Sequence, residues 1–104
     1  MFDKLMQAQQ KMQETKERLE SIQVLGEAEG GKVKVAMTGN KKVISVEWAD
    51  ELNGDKEQLQ DLLVIAFNRA NELAENVSAA EMQAVASQML PGGLGALGNL
   101  FGGK

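Results

Sequence analysis

A chain of 104 residues with formal net charge -4 makes one small domain, and its lack of cysteine and histidine excludes disulfides, thiol or imidazole chemistry and Cys/His zinc sites. Hydrophobic residues are 43% and charged residues 25%, yet only three Phe and one Trp supply large aromatic volume, so oligomerisation is expected to complete the core. Charge is uneven: residues 1–49 hold eight Lys/Arg against seven Asp/Glu, and residues 50–104 hold three against eight. The start, MFDKLMQAQQ, is too polar for a signal peptide, and no apolar run is long enough to span a membrane. The expectation is a soluble cytoplasmic chain.

Residues 3–23 read as a helix, with Asp3 as N-cap and Gln, Glu, Lys, Met and Leu as strong helix formers. Leu5, Ala8, Met12, Thr15, Leu19 and Ile22 alternate at spacings of three and four, which makes a heptad seam. Ala8 is small and Thr15 polar, so the seam needs a partner helix anchored elsewhere. Gly26 is expected to end the helix. VLGEAE at 24–29 is ambiguous and reads at most as a short edge strand, and Gly30-Gly31 marks a turn or bulge.

KVKVAMT then alternates, with Val33, Val35 and Met37 on one face and Lys32, Lys34, Ala36 and Thr38 on the other. After Gly39-Asn40, KVISVEWA alternates again through Ile44, Val46 and Trp48, completing a β-hairpin. A two-residue loop pairs Val35 with Ile44; a four-residue loop pairs Val35 with Val46 and Met37 with Ile44. Both keep the same apolar face, which makes Trp48 a core or interface residue. A second helix opens near Asp55, capped by Asp55 or Asn53. Its broad apolar face runs from Leu59 to Val77 and continues through Met82, Val85 and Met89, with a break expected near Ser78. Pro91 stops it. The Gly/Leu-rich stretch 91–104 reads as a flexible tail, or as one that folds onto a partner through Leu94, Leu97, Leu100 and Phe101.

No catalytic constellation emerges. Ser21, Ser45, Ser78 and Ser87 have no histidine partner, and GEAEGG lacks the spacing of a dinucleotide-binding loop. The carboxylates are scattered, so neither a metal nor an organic cofactor is expected. Lysine placement is more informative. Lys32 and Lys34 project opposite the apolar hairpin face, and Lys41 and Lys42 sit at or beside the tip. Lys4, Lys11 and Arg18 lie seven apart on one flank of the first helix, with Lys16 on the other. Such ammonium groups suit phosphates rather than base edges, although glutamates interleave with them.

LMQAQQKMQE at 5–14, GGKVKVAMTGNKKVISVEW at 30–48 and DKEQLQDLLVIAFNRANELAE at 55–75 together resemble the YbaB/EbfC family of nucleoid-associated proteins. The resemblance spans nearly the whole chain and rests on the order and spacing of the segments. It implies an α+β, α-β-β-β-α subunit over residues 1–90, with a small antiparallel sheet flanked by two long helices. It also implies a homodimer whose projecting helices engage duplex DNA. VLGEAE becomes the first strand, and Lys4, Lys11, Lys16, Arg18, Lys32, Lys34, Lys41 and Lys42 become the DNA-binding residues. Ala49-Asp50 stands where the family carries Asp-Pro. The implied function is a non-enzymatic, weakly selective DNA binder of the nucleoid in the cytoplasm. The competing reading is an acidic homodimeric adaptor that binds a protein through its helices.

Overall fold

The computed structural model describes residues 2–89; the tail expected at 91–104 lies outside the described residues. The order is α1 (Phe2–Ser21), β1 (Gln23–Ala28), β2 (Val33–Thr38), β3 (Val43–Trp48) and α2 (Lys56–Met89), with 3-10 turns at Glu29–Gly31 and Asp50–Gly54. The three strands form one antiparallel sheet in the order β1-β2-β3. This is the expected α+β architecture.

Both ends of α1 differ from the expectation. The helix includes Phe2, so Asp3 lies inside the first turn, where its charge still meets the positive helix end. The helix ends at Ser21 because the β2–β3 turn takes its free carbonyls: Gly39 N–H donates to the Leu19 and Ile22 oxygens at 2.9 and 3.0 Å. Gly26 does not terminate the helix. It sits mid-strand in β1 opposite Val35, and a Cβ there would collide with the Ala66 carbonyl oxygen and the Ala70 amide nitrogen. Glycine is required by close packing of strand and helix.

That approach builds the core. Ala66, Ala70 and Ala74 make a low ridge on α2 at four-residue spacing, and the helix settles over β1 and β2. Beneath it lie Ala28, Val33, Val35 and Met37, closed at one end by Leu52 and Leu62. The helix is continuous across Ser78, where a break was expected; no Gly or Pro interrupts residues 56–89. Asp55 is its N-cap, accepting from Gln58 N–H at 3.1 Å.

The hairpin follows the longer of the two expected registers, with Val33 opposite Trp48 and Val35 opposite Val46. A bulge after Ala36 then shifts Met37 opposite Val43 instead of Ile44. The turn itself is Gly39, Asn40 and Lys41. Lys41 N–H donates to the Thr38 carbonyl at 3.0 Å, Thr38 N–H to the Lys42 carbonyl at 2.8 Å, and Lys41 takes φ 67°. A tight turn followed by one left-handed residue is a common three-residue hairpin loop.

The α1 seam is half used. Thr15 and Leu19 are buried, and the Thr15 hydroxyl donates to the Lys11 carbonyl at 2.8 Å, so a polar seam position carries no unpaired group. Toward the N-terminus Leu5, Met6 and Met12 are exposed. The subunit is elongated, measuring 61 × 30 × 16 Å with a radius of gyration of 19.0 Å. A compact chain of this length would have about 13 Å.

Candidate functional site

The β2–β3 turn is pinned to the last turns of α1. Asn40 Nδ2 donates to the Lys16 carbonyl at 3.0 Å and to Glu20 Oε2 at 2.7 Å. Lys42 Nζ meets Glu20 Oε1 at 3.2 Å, and Lys41 Nζ reaches Glu75 Oε2 of α2 at 3.0 Å. Lys16, Lys41 and Lys42 are thereby gathered at the C-terminal end of α1, where the helix dipole favours cations. Hydrogen bonds from Asn40 and then Lys42 hold the Glu20 carboxyl below its ordinary value of 4.5.

The two halves of the lysine-rich hairpin do not form one patch. Lys32 and Lys34 lie toward the opposite end of β2 from the turn, about 20 and 13 Å from Thr38 at the strand rise of about 3.3 Å per residue. Both distances exceed the Debye length of about 8 Å at physiological salt, so the two groups act separately. Lys34 stands between Glu27 and Glu47 in cross-strand register, and Lys32 Nζ lies 3.7 Å from Glu51. The local balance there is not basic.

On α1, Lys4, Lys11 and Arg18 occupy one flank and Lys16 the other. Lys11 lies 4.0 Å from Glu14, and Arg18 Nε lies 3.0 Å from Glu81 of α2. Five of the eight candidate cations therefore face a carboxylate within 4.0 Å: Lys11, Arg18, Lys32, Lys41 and Lys42. All five remain well exposed, so each pair contributes about 0–1 kcal/mol and yields to a stronger anion.

Two residues escape sequence reasoning. Asn40 is visible there only as a loop residue, and its role in joining the turn to α1 depends on contacts twenty and twenty-four positions away. Arg69 reaches from α2 to donate to the Glu27 carbonyl of β1 at 2.7 Å. It had no periodic or motif signal. Among the described residues no group of three or more His, Cys, Asp or Glu is placed to hold a metal, and no helix is long and apolar enough to cross a membrane.

The model of the YbaB/EbfC DNA-binding family matches residues 1–89. The chain belongs to this family. It is 39% identical to a nucleoid-associated protein of Flavobacterium johnsoniae, with 97% of this chain and 94% of that one covered. It is 40% identical to a nucleoid-associated protein of Chlorobium phaeobacteroides, over 88% and 83% of the two chains. A crystal structure of an uncharacterized protein from Helicobacter pylori shares the fold at TM-score 0.67 and 24% identity, covering 69% of this chain and 77% of that one. The YbaB/EbfC assignment thus covers both helices and the whole sheet described above.

Proposed function

We propose that this YbaB/EbfC chain is a homodimeric nucleoid-associated protein that binds duplex DNA mainly through phosphates, with little or weak sequence selectivity. The cluster of Lys16, Lys41 and Lys42 around the end of α1 carries this reading. It is made of lysines, which act as point charges suited to phosphate oxygens. Lys4, Lys11 and Arg18 extend the cationic surface along α1, while Lys32 and Lys34 are secondary contacts. The names of the relatives support the same reading, with its action at the nucleoid.

Dimerisation is supported by an uncovered apolar face. Val46 and Trp48 share the face of Val33 and Val35 by register, but α2 covers only β1 and β2. Every β3 residue is exposed, and Phe67 on the adjoining flank of α2 is 44% exposed. A second copy would cover this face and supply the interior that a thin subunit lacks.

The test is a titration of several unrelated duplexes over a salt series, alongside sedimentation. The expected result is a dimer that binds all duplexes similarly, with affinity falling steeply as salt rises. The internal pairing of five cations favours one second reading, an acidic adaptor for a protein partner. Absence of duplex binding at low salt would select it.

A further inference from the structure

We propose that Asn53 is a self-modifying site, cyclising onto the backbone nitrogen of Gly54 to give aspartate or isoaspartate, and that the Trp48 indole N–H restrains the reaction. This inference is independent of DNA binding. Asn53-Gly54 is the one Asn-Gly pair in the chain. Both residues are exposed, and a Cβ built on Gly54 meets nothing within 4 Å. No side chain therefore shields the Gly54 nitrogen from solvent base or from the amide carbon beside it. Among the described residues, Asn40, Asn68, Asn71 and Asn76 each precede a residue with a side chain, and the last three lie inside α2. There the following amide is also held in a helical hydrogen bond.

The reaction needs only base and water. The Gly54 nitrogen gives its proton to hydroxide and attacks Asn53 Cγ. A nitrogen–carbon bond closes a five-membered imide. The bond from Cγ to Nδ2 breaks, and Nδ2 takes up a proton and leaves as ammonia. Water then opens the ring at Cγ to give aspartate, or at the Asn53 main-chain carbonyl to give isoaspartate. Two contacts oppose ring closure. Asp55 N–H donates to the Leu52 carbonyl at 3.0 Å, which holds Asn53 and Gly54 in a 3-10 turn instead of the more extended backbone that ring closure requires. Trp48 Nε1 donates to Asn53 Oδ1 at 2.8 Å and fixes the side-chain amide. Both must open before the ring closes. Isoaspartate then routes the main chain through an extra methylene. That displaces Leu52, which closes one end of the core, and Asp55, which caps α2.

The full-length protein is incubated in mildly alkaline buffer. Isoaspartate is measured by enzymatic methylation with labelled S-adenosylmethionine, and both products are located by peptide mapping. The expected result is conversion at Asn53 ahead of Asn40, Asn68, Asn71 and Asn76. Gly54→Ala, which the open space accommodates, should suppress it. Trp48→Phe keeps an apolar ring without the N–H donor and should speed conversion by up to about tenfold, the worth of one hydrogen bond. Sedimentation checks that this variant assembles as wild type does. In wild type, hydrogen exchange at the Asp55 amide reports opening of the same turn, and conversion should rise in step with it as urea is added below the unfolding transition. An intact Asn53 in the native protein, under conditions that convert the urea-unfolded chain, overturns the site. Equal rates in wild type and Trp48→Phe, or conversion that does not follow the Asp55 exchange, overturn the restraint.

Discussion

Lys41 and Glu75 meet at 3.0 Å, joining the β2–β3 turn to the middle of α2. The lysine proposed to contact phosphate thus already has an anion, as does Lys42 in Glu20. A phosphate must displace both carboxylates. Replacing Glu20 and Glu75 by Gln should strengthen duplex binding modestly, by up to about fivefold per site, as befits exposed pairs. Fluorescence anisotropy at low salt would measure it. Unchanged affinity would detach the turn from the binding surface.

The two ends of the hairpin should differ. Lys41→Gln with Lys42→Gln is expected to reduce the slope of log affinity against log salt by up to about 1.8, at about 0.9 per phosphate contact. Lys32→Gln with Lys34→Gln should change it much less, because Glu27, Glu47 and Glu51 already offset those charges. Equal losses from both pairs would mean that DNA lies along the whole strand.

Gly26 and Gly54 provide a matched test of packing. Gly26→Ala forces a methyl group into the backbone of α2 and should cost at least the roughly 1–3 kcal/mol typical of overpacked cores. Gly54 has open space around it, so Gly54→Ala should be nearly neutral. Urea denaturation of both variants distinguishes steric closure from a general glycine effect.

Glu20 sets a pH dependence. Its folded pKa lies below the unfolded value, so its contribution to stability is fully present above 4.5 and is lost as pH falls through the lowered folded value. The difference in stability between wild type and Glu20→Gln should therefore be constant at neutral pH and vanish in acid. Asn40→Ala should move the Glu20 titration back toward 4.5, as followed by carbon-13 NMR of the carboxyl group.

Trp48 is the one tryptophan and reports assembly directly. It is 43% exposed in the single chain, with Nε1 donating to Asn53 Oδ1 at 2.8 Å. Its emission should shift to the blue as protein concentration rises through the dimerisation range. Trp48→Ala should weaken association more than it unfolds the subunit, and sedimentation would separate the two effects. A persistent monomer with constant Trp48 emission would remove the dimer from the proposed function.

What the sequence makes legible is what a local period carries. The α1 seam and the alternation of β2 are repeats of three-four and two, and both elements form, while the bulge breaks the alternation of β3 by setting Val43 rather than Ile44 opposite Met37. β1 is poorly legible because Gly26 and Glu27 weaken its pattern. Its glycine makes sense only once Ala66 and Ala70, forty or more positions later, lie against it. The eight cations are easily found by type, but their division is not, because the carboxylates that offset them arrive from other elements. Lys34 looks basic along the strand and becomes balanced only when β1 and β3 bring Glu27 and Glu47 alongside. The Ser78 region reads as a break because its seam residues weaken, although no backbone feature there stops a helix.

The 16 Å thickness of the subunit is little more than one helix laid on one sheet. In such a slab only β2 has a strand on each side and a helix above it, while β3 and the outer flank of α2 lie one layer from water. Backbone amides at the centre of β2 should consequently exchange with solvent hydrogen most slowly, and those of β3 should exchange through local openings far cheaper than global unfolding. Covering β3 by a second copy would merge these two classes into one. The cooperative unit of this protein would then be the pair of chains, with each subunit a fragment of a shared interior.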